Sequence, residues 1–381
     1  MLKRILNKII YLHDIKAHFK PFKAYLNWLR ANIEMAFHVE QIYARPLRLI
    51  IDATNVCILK CPFCPTGMKE HDRKPGYADI NMLTRLFAEL GDYLFFIDFF
   101  NWGEPFLNKE VLFHWLQQAS SKKIITSVST NLNVKLSDSD IDSIITSGLN
   151  NLSVSLDGAS EQTYSIYRRN GNFQLVLDNI RRIVEAKRQK NSTSPWITWQ
   201  FLVFGFNEHE MSKASVMAGE IGVNEIKFMP PFVKLDLKDG IQWLPKNSSF
   251  QKEAYTSKKT EPPQRCDWHY LSAAINWDGT VAPCCAVYKT KDDFGTIGPN
   301  GEHSYMKVIN NEKYRAIRRF YSKGKKEKSG LICEECPLSE IMTMGKNCNR
   351  SIFSITVLQI FRLVLRPFIK SRTIKEYSRH T

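Results

Sequence analysis

Leu47-Arg-Leu-Ile-Ile51-Asp-Ala-Thr-Asn-Val-Cys57-Ile-Leu-Lys-Cys61-Pro-Phe-Cys64 is the stretch on which the fold turns. A short apolar run, Leu47–Ala53, gives way to a polar loop, and the loop presents three cysteines spaced CxxxCxxC. Such a run fits a strand buried in a parallel sheet. Parallel α/β architectures place chemistry at the C-terminal ends of their strands, where this loop begins. Three thiolates on one loop can hold three irons of a [4Fe–4S] cube and leave the fourth open to a ligand. Zinc usually needs four protein ligands, in paired CxxC or Cys/His units, and fits three cysteines poorly. Nine cysteines, an odd number, with no visible secretory signal, argue against a disulfide framework.

Outward from this loop, apolar runs alternate with helical patterns. The predicted strands are Leu47–Ala53, Leu94–Phe100, Ile124–Ser129, Leu152–Leu156, Ile197–Phe204 and Glu225–Met229. Between them the spacing predicts helices at Asn81–Leu90, Lys109–Ser121, Ser137–Ser147, Asn172–Gln189 and Glu208–Ile221. Ser137 and Asp138 precede a polar first turn, and Asn207 followed by Glu210 fits a capping box. Strand–helix alternation predicts βαβ units and a parallel sheet, too short for an eight-fold barrel.

Three strand ends carry polar groups suited to a ligand. Asn101-Trp-Gly103-Glu104-Pro105 follows the second strand; glycine permits close approach to the backbone, and the carboxylate can accept from an ammonium. Ser129-Thr130-Asn131 ends the third strand, and Ser153-Val-Ser155-Leu-Asp157-Gly158 ends the fourth. Tyr167-Arg168-Arg169-Asn-Gly171 adds a guanidinium able to clamp a carboxylate. Gln200 and Asn207 flank the fifth strand and could face a ligand. The competing readings are a surface acid at 104, caps or turns at 129–131 and 157–158, and an exposed helical arginine at 168.

The cysteine spacing, with an aromatic at Phe63, resembles the CxxxCxΦC motif of the radical S-adenosylmethionine (SAM) enzymes. The resemblance implies a partial (βα)6 TIM-type barrel in an α/β fold. It implies a [4Fe–4S] cluster on Cys57, Cys61 and Cys64, whose open iron chelates SAM and cleaves it reductively to a 5′-deoxyadenosyl radical. Gly103 and Glu104 resemble the end of the family's Gly-Gly-Glu-Pro element, which binds the methionyl amine; Trp102 replaces its first glycine. Ser155 resembles the serine of a Ser-x-Asp-Gly element near SAM, and Arg168 the arginine on the SAM carboxylate. Phe63, Ser129 and Asn131 complete the expected cofactor set.

From about residue 241 turn formers increase and cysteines return at Cys266, Cys284, Cys285, Cys333, Cys336 and Cys348. Asp278-Gly279 predicts a hairpin between Ala274–Trp277 and Thr280–Ala282, bringing Cys266 and Cys284 together. Four thiolates suit zinc or a second cluster. The pattern resembles the SPASM/twitch auxiliary domains that follow radical SAM cores. A full SPASM domain has seven cysteines, so the resemblance implies a single auxiliary [4Fe–4S] cluster on Cys266, Cys284, Cys333 and Cys336. Cys285 and Cys348 read as packing thiols. The expected organisation is a basic segment to residue 45, a core over 46–240, a small auxiliary-cluster domain over 241–350 and a basic tail from 351.

The net charge of +15 is concentrated at the ends. Lys3, Arg4, Lys8, Lys16, Lys20, Lys23 and Arg30 against Asp14 give residues 1–30 a net +6. Arg362, Arg366, Lys370, Arg372, Lys375 and Arg379 against Glu376 give 352–381 a net +5. The nearly balanced middle argues against a catalytic domain built around nucleic acid. Leu2, Ile5, Leu6, Ile9 and Leu12 recur at helical spacing, as do apolar residues in Ile352–Ile369. Such ends suit a peripheral membrane surface, or packing on the protein's own core. No run of about 18 uncharged apolar residues appears.

The reading is a cytoplasmic oxidoreductase that oxidises a small-molecule or lipid-linked substrate such as a sugar or cyclitol, as the resemblance to a twitch-type aminoglycoside dehydrogenase implies. A reductant such as flavodoxin or ferredoxin is expected. A radical SAM maturase of a peptide is the alternative within the family, and a zinc-stabilised binding protein the alternative outside it.

Overall fold

A computed structural model describes residues 20–233, 240–246, 248–253, 255–256, 266–298, 304–325 and 327–336. Six strands lie side by side in chain order, all parallel: β1 (Arg48–Ile51), β2 (Phe96–Asp98), β3 (Ile125–Thr130), β4 (Asn151–Ser155), β5 (Trp196–Leu202) and β6 (Glu225–Met229). Helix α1 (Phe22–Ala36) precedes them. Between the strands come α2 (Met82–Leu90), α3 (Lys109–Ser121), α4 (Asp138–Thr146), α5 (Glu161–Tyr167), α6 (Phe173–Gln189) and α7 (Met211–Ile221). The six expected strands and five expected helices are therefore present, with ends shifted by a few residues. Helices α1 and α5 were not expected.

Local chemistry explains the boundaries. In β3, Thr126, Val128 and Thr130 are buried while alternate residues are half-buried, the period-2 signature of a pleated strand. Helix α6 buries Phe173, Val176, Leu177, Ile180 and Ile183 along one stripe. Ser137 accepts from Asp140 N while the Asp140 carboxylate accepts from Ser137 N, a complete capping box. The box expected from Asn207 and Glu210 does not form. Asn207 Oδ1 accepts from Phe204 N, and its amide donates to the carbonyls of Asp157 and Leu202. Glu210 instead accepts from Ala159 N and Ser160 Oγ, so α7 begins at Met211 after a 3-10 turn.

Later in the chain come β7 (Phe232–Val233), α8 (Ser248–Glu253), β8 (Tyr255–Thr256), α9 (Trp268–Leu271), β9 (Ser272–Ile275), β10 (Thr280–Ala282), β11 (Gly295–Thr296), α10 (Tyr305–Val308) and α11 (Glu312–Ser322). Strands β7 and β8 pair only with each other. The expected hairpin is present: Val281 pairs with Ile275 and Ala282 with Ala274 across the Asp278–Gly279 turn. It does not form a sheet of its own. Strand β9 pairs in parallel with β1, Arg48 opposite Ser272 and Ile51 opposite Ile275. The whole is one nine-stranded sheet, β11-β10-β9-β1-β2-β3-β4-β5-β6, open at β11 and β6. Without β9, β1 would be an unprotected edge of a hydrophobic sheet; all four β9 residues are buried there. The fold is a mostly parallel α/β sheet of the partial-barrel kind, not a closed barrel.

Candidate active site at the strand ends

The cysteine loop leaves the C-terminal end of β1 and is tied down on both sides. Thr54 Oγ1 donates to Gly76 O (2.6 Å), and the Asn55 side chain bonds both Lys74 O and Gly76 N. Lys60 N donates to Arg169 O (2.9 Å) and Asn170 Nδ2 to Ile58 O (2.9 Å), so the segment after α5 straps the loop. The chain turns back on itself at Gly67, where a Cβ would lie 2.5 Å from Cys61 O. Phe63 takes left-handed backbone (φ 66), which costs a residue with a Cβ roughly 1–2 kcal/mol. Its buried ring packs edge-on against Trp243 (5.1 Å), one of several aromatics walling the loop with Tyr167, Phe204 and Phe206.

Polar groups from the neighbouring strand ends point at these sulfurs. Asn131 Nδ2 lies 3.5 Å from Cys57 Sγ, and Arg168 Nη1 lies 3.9 Å from Cys61 Sγ. Burial, with Glu104 adding to it, pushes the Cys57 thiol up to about 12. Burial pushes Cys61 up to about 11 against the pull of Arg168. A site that disfavours a bare thiolate yet aims N–H donors at sulfur suits thiolates whose charge is shared with a metal cluster.

Glu104 is buried behind this loop. Its carboxylate accepts from Thr130 Oγ1 (2.6 Å), Asn131 N (2.8 Å) and Phe106 N (3.1 Å), and burial still raises its pKa. It is not the surface acid of the competing reading. Gly103 is required for a reason the sequence did not show. A Cβ there would fall 1.9 Å from Thr54 O, so it is this chain's own β1 loop that approaches Gly103.

Arg168 ends α5 and is not exposed. Its Nε donates to Asp157 Oδ2 (2.5 Å), and Asp157 Oδ1 accepts from Leu202 N (2.7 Å). Burial acts to lower the Arg168 pKa, but Asp157 and Cys61 more than offset it, so the guanidinium stays charged. Asp157 is thus a buried counter-ion rather than a plain turn residue. Ser129 lies in β3 opposite Ser153, and Ser155 ends β4 opposite Gln200. Gln200 accepts from Ser153 Oγ (3.3 Å). Asn207 is fully buried with both ends of its amide occupied, so it does not face a ligand.

Sequence reasoning missed Asp52, which ends the β1 run. It accepts from Trp102 N (3.1 Å), and burial pushes it up to about 7. A carboxylate at a strand end directly before the cysteine loop was the available signal.

The second cysteine set gathers beside β9. Cys284 follows β10 and shares an apolar cluster with Ala274 and Ala282; Cys266 precedes α9; Cys333 lies within the turn Ile332–Glu335 and Cys336 directly follows it. Burial raises the Cys333 thiol well above its ordinary value, and the charges of Cys284, Cys266 and Cys336 raise it further. The same four sulfurs act on Tyr321. Cys285 turns instead towards Arg48 and Asp98, and Cys348 lies outside the described residues. Among the described residues no three His, Cys, Asp or Glu side chains are arranged around a single-ion position.

The two sets are linked. In the amide orientation that satisfies both ends, Asn101 Oδ1 accepts from Trp102 Nε1 (2.8 Å) and its Nδ2 donates to Cys285 O (3.0 Å). His71, Trp102 and Tyr288 rings meet at 5.2–5.5 Å. Buried Arg73 bonds Asp278, Thr280 and Asp293 at 2.6–2.7 Å.

An α/β sheet with a three-cysteine loop at its first strand and four further cysteines grouped near the adjoining hairpin points to a class of iron–sulfur enzyme, and comparison with known proteins agrees. The family model of the radical SAM superfamily matches residues 51–211, and that of SPASM, the iron-sulfur cluster-binding domain, matches 266–337. The chain belongs to the radical SAM superfamily and carries a C-terminal SPASM domain. Its cofactors are SAM, the [4Fe–4S] cluster of the radical SAM domain and auxiliary iron–sulfur chemistry in the SPASM domain.

A GTP 3′,8-cyclase of Actinobacillus pleuropneumoniae serotype 7 (strain AP76) is 27% identical over 160 residues, 40% of this chain and 44% of that protein. The chain therefore spans under half the length of the curated relatives it matches. Streptococcus suis SuiB bound to S-adenosylmethionine shares the fold at TM-score 0.54 and 14% identity, over 81% of this chain and 74% of that one. SuiB bound to the precursor peptide SuiA gives TM-score 0.53 and 13% identity, over 85% and 76%.

Proposed function

We propose that the chain oxidises a small polar molecule of sugar or cyclitol type, with Cys57, Cys61 and Cys64 holding the SAM-cleaving cluster. Cys266, Cys284, Cys333 and Cys336 are the proposed ligands of one auxiliary [4Fe–4S] cluster. When bound, the first cluster and SAM together supply a 5′-deoxyadenosyl radical, which takes a hydrogen atom from carbon. The residues around it bind and orient. Phe63 walls the cysteine loop, and Asn131 donates to Cys57. Arg168, held by Asp157, keeps its remaining N–H groups for the SAM carboxylate. Gly103 and Glu104 shape the strand end that would receive the methionyl amine, with Ser129 and Ser155 on the adjoining strands.

The observation that carries the oxidative reading is the bridge from Trp102 through Asn101 to Cys285 O. It joins the loop bearing Gly103 and Glu104 to the residue beside Cys284. An alcohol carbon that has lost a hydrogen atom must lose one further electron and its hydroxyl proton to become a ketone; a cluster held by Cys266, Cys284, Cys333 and Cys336 would supply an acceptor for the electron, and the proton would pass to solvent. An external reductant such as flavodoxin or ferredoxin would supply the electron for SAM cleavage.

The test is to offer candidate alcohols carrying deuterium and follow the label into 5′-deoxyadenosine. Transfer from one polyol, with the ketone as product, supports the reading; transfer only from peptides sinks it. A peptide substrate is the second reading, supported by the fold shared with SuiB. Anaerobic reconstitution to about eight irons per chain, as two four-iron clusters require, separates both from a zinc protein. Cys57→Ala is expected to abolish SAM cleavage.

A further inference from the structure

Helix α1 is built inside out. Its buried residues are Ala24, Asn27, Ala31 and Glu34. Asn27 exchanges hydrogen bonds with the Arg45 backbone, and Glu34 accepts from Tyr43 N and Ala44 N. The opposite face carries Phe22, Leu26, Leu29, Ile33 and Phe37, which are 75%, 51%, 50%, 48% and 78% exposed. These positions, three to four residues apart, form one continuous stripe. An exposed apolar stripe of this size marks an interaction surface.

We propose that this stripe of α1 docks on an anionic phospholipid surface. Charge decides among the occupants. Glu34, the helix's only acid, is turned inward, and residues 1–30 are net +6. The chain's own tail is net +5, and a second copy would present the same basic end, so both meet like charge. An anionic bilayer offers the complement: apolar depth for the stripe, and negative headgroups for the exposed Lys23 and Arg30 of α1 and for the positive balance of residues 1–30.

The placement has a consequence for the substrate. Lys20 bonds Gly91 O and Lys122 O, Asn27 bonds Arg45, and Tyr25 packs on Phe95. All four partners precede strands, so α1 covers the N-terminal ends of the sheet. The Cys57 loop, Glu104, Asn131 and Arg168 lie at the opposite, C-terminal ends. The membrane anchors the chain from beneath, and the substrate is drawn from the aqueous side, not from the lipid. The anchoring itself does not depend on which reaction the site performs.

The experiment is flotation of the full-length holoprotein with vesicles of phosphatidylglycerol and phosphatidylcholine, and of phosphatidylcholine alone. Wild type is expected to float with the anionic vesicles, less so at high salt. The triple variant Leu26→Gln, Leu29→Gln, Ile33→Gln is expected to lose at least about tenfold in partitioning, the worth of one buried aliphatic side chain. Its iron content and SAM cleavage should match wild type, because these side chains are solvent-facing. Wild type that stays unbound overturns the proposal. So does equal binding by the variant, or a wild-type dimer that the triple substitution converts to monomer without any vesicle binding.

Discussion

Asp52 shows how a single buried residue sets a measurable property of this site. Burial raises its pKa from the ordinary 3.8 to about 7, even though it accepts from Trp102 N. The folded state therefore binds a proton between these values that the unfolded state has released. Stability must fall as pH rises through that window and level off above it. Asp52→Asn keeps the acceptor for Trp102 N and removes the titration. It is expected to flatten the decline in melting temperature between about pH 4 and pH 7, measured on apoprotein by calorimetry; an unchanged slope would assign the window elsewhere. Burial raises Asp157 as well, but here Arg168 and Leu202 N oppose the shift, and the carboxylate has a buried partner. Asp157→Ala leaves Arg168 buried without its carboxylate and is expected to cost about 3–5 kcal/mol in urea unfolding. Asp157→Asn retains an acceptor and should cost less while weakening SAM binding, because Arg168 is then held less firmly. These roles were not legible in the sequence, where Asp157-Gly158 also reads as a turn. The three cysteines were legible because their meaning lies in spacing alone. Asn207 was misread because a cap and a buried amide clamp are the same residue until its partners are known.

At the scale of elements, the contact between β9 and β1 governs how the auxiliary site is held. Arg73, on the segment that laces the cysteine loop, reaches across to Asp278, Thr280 and Asp293, and its side chain is only 3% exposed. Arg73→Ala strands two carboxylates against each other and is expected to destabilise by about 3–5 kcal/mol. Amide exchange should show the loss concentrated in β9 and β10, with β3 to β5 nearly unaffected. Uniform loss across the sheet would mean that the hairpin does not open independently. The parallel strands could be read from the sequence because a fully buried strand is written as a continuous apolar run. The β9–β1 pairing could not, since parallel pairing between distant segments leaves no local mark, whereas the Asp278–Gly279 turn does. Helix α1 escaped for the opposite reason. Its apolar periodicity is real but faces outward, and its buried face is Ala24, Asn27, Ala31 and Glu34, which resembles a solvated stripe.

For the whole molecule, the question is whether the two cysteine sets work as one device or as two attachments on a common sheet. The Asn101 bridge, the ring cluster of His71, Trp102 and Tyr288, and the Arg73 network all cross from the first set's loops to the second set's. Evidence for a single device would be a substrate reaction that begins at one set and fails without the other. Cys284→Ala with Cys333→Ala removes two of the four proposed auxiliary ligands and leaves the Cys57 loop untouched. Iron is expected to fall from about eight to about four per chain, since each cube carries four. SAM cleavage should continue at a reduced rate, because Asn131, Glu104, Arg168 and Asp157 all lie between β2 and the end of α5 and do not depend on the sulfurs of Cys284 and Cys333. The proposed ketone formation should stop, and 5′-deoxyadenosine should accumulate uncoupled from product. The apoprotein of this variant should melt close to wild-type apoprotein, whereas the holoproteins should differ, because cluster binding adds its free energy to the folded state only. Undiminished ketone formation at half the iron would make the second set a structural clip and leave the oxidation to the first site alone.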